Sequence, residues 1–139
     1  MLSSFFKKPK NVTRFIGDSY LYDNRTGVIK TNVFAKKKDR ESGEISVFDI
    51  DNELMRGNDE KIFKLGDKRY CKRPPHTLAR ADLKVEDIEK IESCSTKLFL
   101  EKKTLDKHCN IKPFPLDKIQ ALNVAGQLVA ISKLIIRDP

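Results

Sequence analysis

Pro115-Leu116-Asp117-Lys118-Ile119-Gln120-Ala121-Leu122-Asn123-Val124-Ala125-Gly126-Gln127-Leu128-Val129-Ala130-Ile131-Ser132-Lys133-Leu134-Ile135-Ile136 carries the clearest periodicity in the chain. Ile119, Leu122, Ala125, Val129 and Ile136 recur at mostly helical intervals behind a Pro-Leu-Asp start. The spacing predicts one long helix from Ile119 to Ile136, with Leu122, Ala125 and Val129 turned toward a sheet. A helix with such a stripe needs an apolar surface to cover, and the upstream chain supplies mostly strand-like runs.

Working back toward the N-terminus, residues 97–101 read as a strand, and Val85, Ile88 and Ile91 stand at helical spacing. Thr77-Leu78-Ala79-Arg80-Ala81-Asp82-Leu83 alternates and reads as a further strand. Pro74-Pro75 before it can continue neither a helix nor a central strand. Asn58 caps a predicted helix that starts at Asp59-Glu60, carries Ile62, Phe63 and Leu65, and stops near Gly66. Residues 28–35 and 45–50 are rich in β-branched and aromatic side chains, and a polar connection over 36–43 would make them a long-looped hairpin. Residues 14–22 suggest short extended pieces around Gly17-Asp18. The expected architecture is α+β: a mixed, mainly antiparallel sheet with about three helices on one face, including the long C-terminal one. A basic leader over 1–12 would precede a single domain over 13–139.

Composition bounds the function classes. At 139 residues, with 39% hydrophobic and 35% charged, the chain has the size and make-up of one folded domain. The apolar run over 121–136 is broken by Asn123, Gln127, Ser132 and Lys133, so a bilayer crossing is not expected, and the start lacks a secretory pattern, which points to the cytoplasm. Cys71, Cys94 and Cys109 are widely spaced and form no CxxC pair, so reduced thiols are expected. The net charge of +8 favours an anionic partner, either nucleic acid or an acidic protein.

Basic residues fall in three groups: Lys7, Lys8, Lys10 and Arg14; Lys36, Lys37, Lys38 and Arg40; and Lys68, Arg69, Lys72 and Arg73. Two such groups on one face would attract phosphates by counterion release, and Tyr70 within the third adds a ring on which an unpaired base can stack. His76, Arg80, Asp82 and His108 are the residues from which a functional pocket would be built. Two further sets are chemically conceivable. Cys71, His76, His108 and Cys109 offer zinc ligand types, and Asp49, Asp51 and Asp82 offer magnesium ligand types. Neither has the spacing of a recognised site, and no GxSxG, Walker or dinucleotide fingerprint occurs, so no catalytic residue, metal or cofactor is assigned.

The segment Leu78-Ala79-Arg80-Ala81-Asp82-Leu83, followed by Lys107-His108-Cys109-Asn110-Ile111-Lys112-Pro113-Phe114-Pro115 and a last helix, resembles a group of small uncharacterised bacterial proteins often carried on mobile elements. Ile45-Ser46-Val47-Phe48 and the Asn58 helix share the likeness, which spans residues 45–134. It implies no activity and transfers no catalytic residue. The reading is therefore a non-enzymatic binding or accessory protein whose positive face engages nucleic acid or an acidic protein. Two alternatives stand beside it: a metal-dependent or histidine-assisted hydrolase or nuclease using His108 with Asp82 or His76, and a homodimer joined through Leu122, Val129 and Ile136.

Overall fold

The computed structural model describes residues 8–51, 55, 57–69, 77–102 and 107–138. The chain has an α+β fold built on a six-stranded sheet in which every pairing is antiparallel. Its strands are β1 (Asn11–Ile16), β4 (Ile45–Asp49), β5 (Ala79–Lys84), β8 (Phe99–Glu101), β9 (His108–Lys112) and β10 (Lys133–Ile136), in the order β10-β5-β1-β4-β9-β8. Two short hairpins, β2 (Tyr22–Asp23) with β3 (Val28–Ile29) and β6 (Glu92–Ser93) with β7 (Thr96–Lys97), lie outside it. The helices are α1 (Lys37–Ser42), α2 (Asp59–Arg69), α3 (Val85–Ile88) and α4 (Lys118–Ile131). β1 begins at Asn11, and Val12 is fully buried, so residues 11 and 12 of the expected leader belong to the sheet.

The periodic stretch over 115–136 splits in two. Asp117 caps α4 by accepting the Gln120 N–H at 2.9 Å, but the helix stops at Ile131 rather than Ile136. Ser132 takes an extended backbone and its hydroxyl donates to the Val129 carbonyl at 2.8 Å, which satisfies an orphan helix-end acceptor. Lys133-Leu134-Ile135-Ile136 then turns back as the edge strand against β5. The buried face of α4 is Ala121, Val124, Ala125 and Leu128, while Leu122 is 38% and Ile119 79% exposed. Leu122 thus stands on the outer side, one step off the expected face. The stripe Leu122, Val129 and Ile136 is not one helix surface, because Ile136 belongs to the sheet.

Strand alternation sends Val12, Ile16, Ala79, Ala81, Leu83, Ile45, Val47, Cys109 and Ile111 to one face, where they meet α3, α4 and a 3-10 turn over Thr31–Phe34. That turn replaces most of the strand expected over 28–35. Only Val28–Ile29 forms a strand, and Val33 and Phe34 are inserted into the core. The expected hairpin is consequently absent, and β4 pairs instead with β1 and β9. The predicted helix from Val85 shortens to the single turn of α3.

The opposite face receives α2. Asn58 caps it as the sequence predicts, its Oδ1 accepting the Lys61 N–H at 3.2 Å. Phe63 is buried there, with the Arg80 and Arg137 guanidiniums 5.1 and 5.4 Å from its ring centroid. Arg137 also bonds both Asp67 oxygens at 3.0 Å and Glu60 at 2.9 Å, and its hydrogen bond to Glu60, seconded by Asp67, raises its affinity for its proton. This clamp ties the end of the chain to α2.

Gly66 does not stop α2, which runs on to Arg69. It lets the helix approach β1: a Cβ at this position would lie 2.6 Å from Phe15 Cδ1 and 2.8 Å from Thr77 Oγ1. Gly126, in α4, has nothing closer than Thr31 Cγ2 at 3.9 Å. Gly66→Ala is therefore expected to destabilise by about 1–3 kcal/mol through overpacking, despite alanine's better helix propensity. Gly126→Ala should be neutral or stabilise by up to about 1 kcal/mol. Urea midpoints of the two variants check this, and similar midpoints would contradict the close approach.

Candidate binding cleft

β1 and β4 pair only at Val12 opposite Asp49 and Thr13 opposite Phe48. From Arg14 onward a side chain bridges the two strands. Its Nη1 donates to the Ser46 carbonyl at 2.8 Å, its Nε to the Val33 carbonyl at 3.1 Å, and its Nη2 to Asp39 Oδ2 at 2.7 Å. Arg14 is 7% and Asp39 5% exposed. The same Asp39 oxygen accepts the Lys36 N–H at 3.1 Å, so one carboxylate both neutralises the cation and fixes the first turn of α1. Within the stretch over 36–43, read from the sequence as a polar connection, Lys37–Ser42 is helical for this reason. Gly43 ends it with φ +75°, its N–H donating to the Asp39 carbonyl at 3.0 Å.

Beside this bridge lies a cleft of about 440 Å³. Phe15, Phe48 and His108 give it an aromatic wall, with successive ring centroids 5.3 and 5.6 Å apart. Ser46 and Asn110 add polar groups, and His108 Nε2 lies 2.6 Å from Ser46 Oγ. Lys36 and Lys38 line the cleft from the α1 side, Lys38 exposed and Lys36 half-buried. Tilted aromatic rings, neutral hydrogen-bonding groups and two ammonium groups share this cleft with the Glu44 carboxylate, and the rings and ammonium groups suit a ligand that has both a planar ring and a negative charge.

Farther along β9, Lys112 bonds Glu101 at 2.6 Å, and this hydrogen bond raises the ammonium's hold on its proton. Its Nζ also stands 5.9 Å from the Phe99 ring centroid.

Of the binding residues read from the sequence, Lys36 and Lys38 line the cleft, together with Arg14 from the first basic group. Lys37 is exposed on α1 and pairs with Glu41 at 3.7 Å, and Arg40 is half-buried in the last turn of α1. Lys68 is exposed near the end of α2, which Arg69 closes. Tyr70, Lys72, Arg73, Cys71 and His76 lie outside the described residues.

The expected pocket of His76, Arg80, Asp82 and His108 does not assemble from its described members. Asp82 holds Arg80 at 2.9 and 3.2 Å on β5, whereas His108 is on β9, with β1 and β4 between the two strands. Arg80 also binds Asp59 at 3.0 Å, a structural role beneath α2. The two metal sets fare no better. His108 and Cys109 are consecutive strand residues that point to opposite faces, and Cys109 is in the core. Asp49 pairs with Lys102 at 3.0 Å, and its register partner Val12 precedes Thr13, the partner of Asp82, so Asp49 and Asp82 also face opposite ways. Among the described residues, no group of three or more His, Cys, Asp or Glu side chains is placed to hold a metal ion. No described helix is long and apolar enough to cross a membrane.

Sequence reasoning missed Ser46, Phe48, Asn110 and the pairing of Arg14 with Asp39. The alternation of Ser46 and Phe48 in β4 was a usable signal, but their neighbours across the sheet were not. Comparison with protein-family models, with curated proteins and with solved structures found no match.

Removing one member of a buried ion pair leaves its partner uncompensated. Asp39→Ala is thus expected to destabilise the domain by about 3–5 kcal/mol. The double variant Arg14→Leu, Asp39→Ala should lose clearly less than the sum of the two single losses. Chemical denaturation of the three variants tests this, and additive losses would show that the groups act independently.

Proposed function

We propose that this chain is a binding protein for single-stranded nucleic acid, with its site in the cleft between α1, β4 and β9. The observation that supports this reading is the meeting of the Phe48 and His108 rings with Lys36 and Lys38 in one cleft. An unpaired base stacks on the rings while its phosphates run past the lysines. The net charge of +8 adds long-range attraction for any polyanion. An acidic protein would use the lysines but has no need of the aromatic wall. A duplex keeps its bases stacked on one another and gains little from it.

The test is fluorescence anisotropy with a labelled single strand and its duplex, at about 50 and 200 mM salt. Single strand should bind more tightly than duplex, and both should weaken at the higher salt. Phe48→Ala should weaken single-strand binding by about 1–3 kcal/mol, the usual worth of one stacked base. Changing Lys36 and Lys38 to Ala should flatten the salt dependence, the slope falling by about one for each phosphate no longer neutralised. Absence of binding at low salt, or equal affinity for duplex, would overturn the reading and return attention to an acidic protein partner.

A second reading rests on a different observation, the 2.6 Å approach of His108 Nε2 to Ser46 Oγ inside the cleft. A serine hydroxyl in hydrogen-bond reach of an imidazole is the geometry of an activated nucleophile. In this reading a histidine-assisted hydrolase would use His108 as the base for a Ser46 nucleophile, a different arrangement from the expected partnership of His108 with Asp82 or His76. Reaction with a fluorophosphonate probe, followed by mass spectrometry, should then label Ser46 in the wild type and leave the Ser46→Ala variant unlabelled. An unlabelled wild-type protein would remove the hydrolase reading and leave the hydrogen bond as a cross-strand polar contact.

A further inference from the structure

The strand that carries His108 continues away from the cleft toward the edge of the sheet. Alternate residues of β9 share a face, so His108, Asn110 and Lys112 stand in a row. Their partners in register are Phe48 for His108, Ser46 and Glu101 for Asn110, and Phe99 for Lys112. The row therefore has a ring at each end: Phe48 with His108 inside the cleft, and Phe99 on the edge strand β8. Four residues of extended chain separate the ends by about 13 Å.

Exposed apolar side chains are ordinary when scattered singly. Phe99 is 42% exposed, but it is set apart by its register with the row and by the Lys112 ammonium near its ring. The neighbouring Leu100 points the other way and is buried, so alternation turns Phe99 outward onto the face that holds the cleft. Glu101 already neutralises Lys112, which leaves this end with a stacking surface and little spare positive charge.

We propose that the binding site is a track rather than a single socket: the ligand is a run of about three unpaired nucleotides, one stacked at Phe48 and His108, one over Asn110 and one on Phe99. This rests on the single-strand reading above. Lys36 and Lys38 supply the phosphate attraction at the α1 end, and Phe99 adds stacking that salt does not screen. The middle base meets the Asn110 amide, which can donate to and accept from a base edge.

Oligouridylates of one, three and five nucleotides, titrated against wild-type protein and the Phe99→Ala and Phe48→Ala variants, separate the possibilities. Wild-type affinity should rise from one to three nucleotides and change little at five. Phe99→Ala should lose about tenfold for three and five nucleotides, nothing for one, and keep the wild-type salt slope, while Phe99→Tyr restores binding. Phe48→Ala should weaken all three lengths. Unchanged affinity of Phe99→Ala at every length would overturn the track and leave the cleft reading standing. Failure of the wild type to bind any length at low salt would overturn both. Phe99 is exposed, so a wild-type urea midpoint for the alanine variant confirms that the comparison concerns binding and not folding.

Discussion

The buried pair between Arg14 and Asp39 is the constraint around which the candidate site is arranged. A guanidinium cannot stay inside a protein without acceptors, and this one has a carboxylate and two backbone carbonyls. Those acceptors belong to α1, to the 3-10 turn over Thr31–Phe34 and to β4. Satisfying a single cation thus draws three segments to β1. It also sets the place where β1 and β4 part, because the Ser46 carbonyl is bonded to the guanidinium. The cleft is a consequence of how that charge is solvated by protein.

Gly66 exerts the complementary control on the other side of β1. Its missing Cβ lets α2 settle against Phe15 and Thr77, over the β10-β5-β1 half of the sheet. The Arg80 and Arg137 guanidiniums both lie over the Phe63 ring and fasten the helix there. The same face of β4, β9 and β8 carries Ser46, Phe48, His108, Asn110, Lys112 and Phe99, a mixture of rings and polar groups. Along β9 these alternate with Cys109 and Ile111, which are buried in the core beneath. A rigid apolar core on one side therefore fixes the spacing of side chains offered on the other.

The α+β class and several elements are legible in the sequence because their causes are local. β4 and β5 show alternation within a few residues, and the start of α2 is marked by Asn58 followed by two acids. What is not legible depends on distant partners. Lys133–Ile136 continues a helical pattern, yet Ser132 interrupts it and β5 offers a ladder, so the segment becomes a strand. Residues 31–34 have β-branched and aromatic character, but core packing of Val33 and Phe34 outweighs strand propensity. In the site, Lys36, Lys38 and His108 are recognisable as chemistry-bearing types. Their grouping is not, since Arg14 and Asp39 are 25 residues apart and Ser46 and His108 are 62 apart. Alternation with Ile45 and Val47 in β4 and with Cys109 and Ile111 in β9 fixes the face that Phe48 and His108 occupy, but it does not say which strands lie side by side.

Charge follows the same division between local and long-range causes. The excess of cations over anions is visible in the composition, but several conspicuous cations are held in ion pairs: Arg14 with Asp39, Arg80 with Asp59 and Asp82, Lys102 with Asp49, Lys112 with Glu101, and Arg137 with Glu60 and Asp67. These cations position strands and helices, and their fields are largely cancelled within a few ångströms. A polyanion approaching the domain would be drawn instead by exposed lysines such as Lys38, Lys61, Lys64 and Lys68. Their attraction reaches about one Debye length and has little directional preference. Orientation must come from shape and short-range contacts, and among the described surfaces the cleft unites aromatic faces with hydrogen-bonding groups beside such a lysine. In the proposed site, attraction and selection would thus fall to different residues: the lysines would bring an anion near, and Phe48, His108 and Asn110 would decide whether it stays.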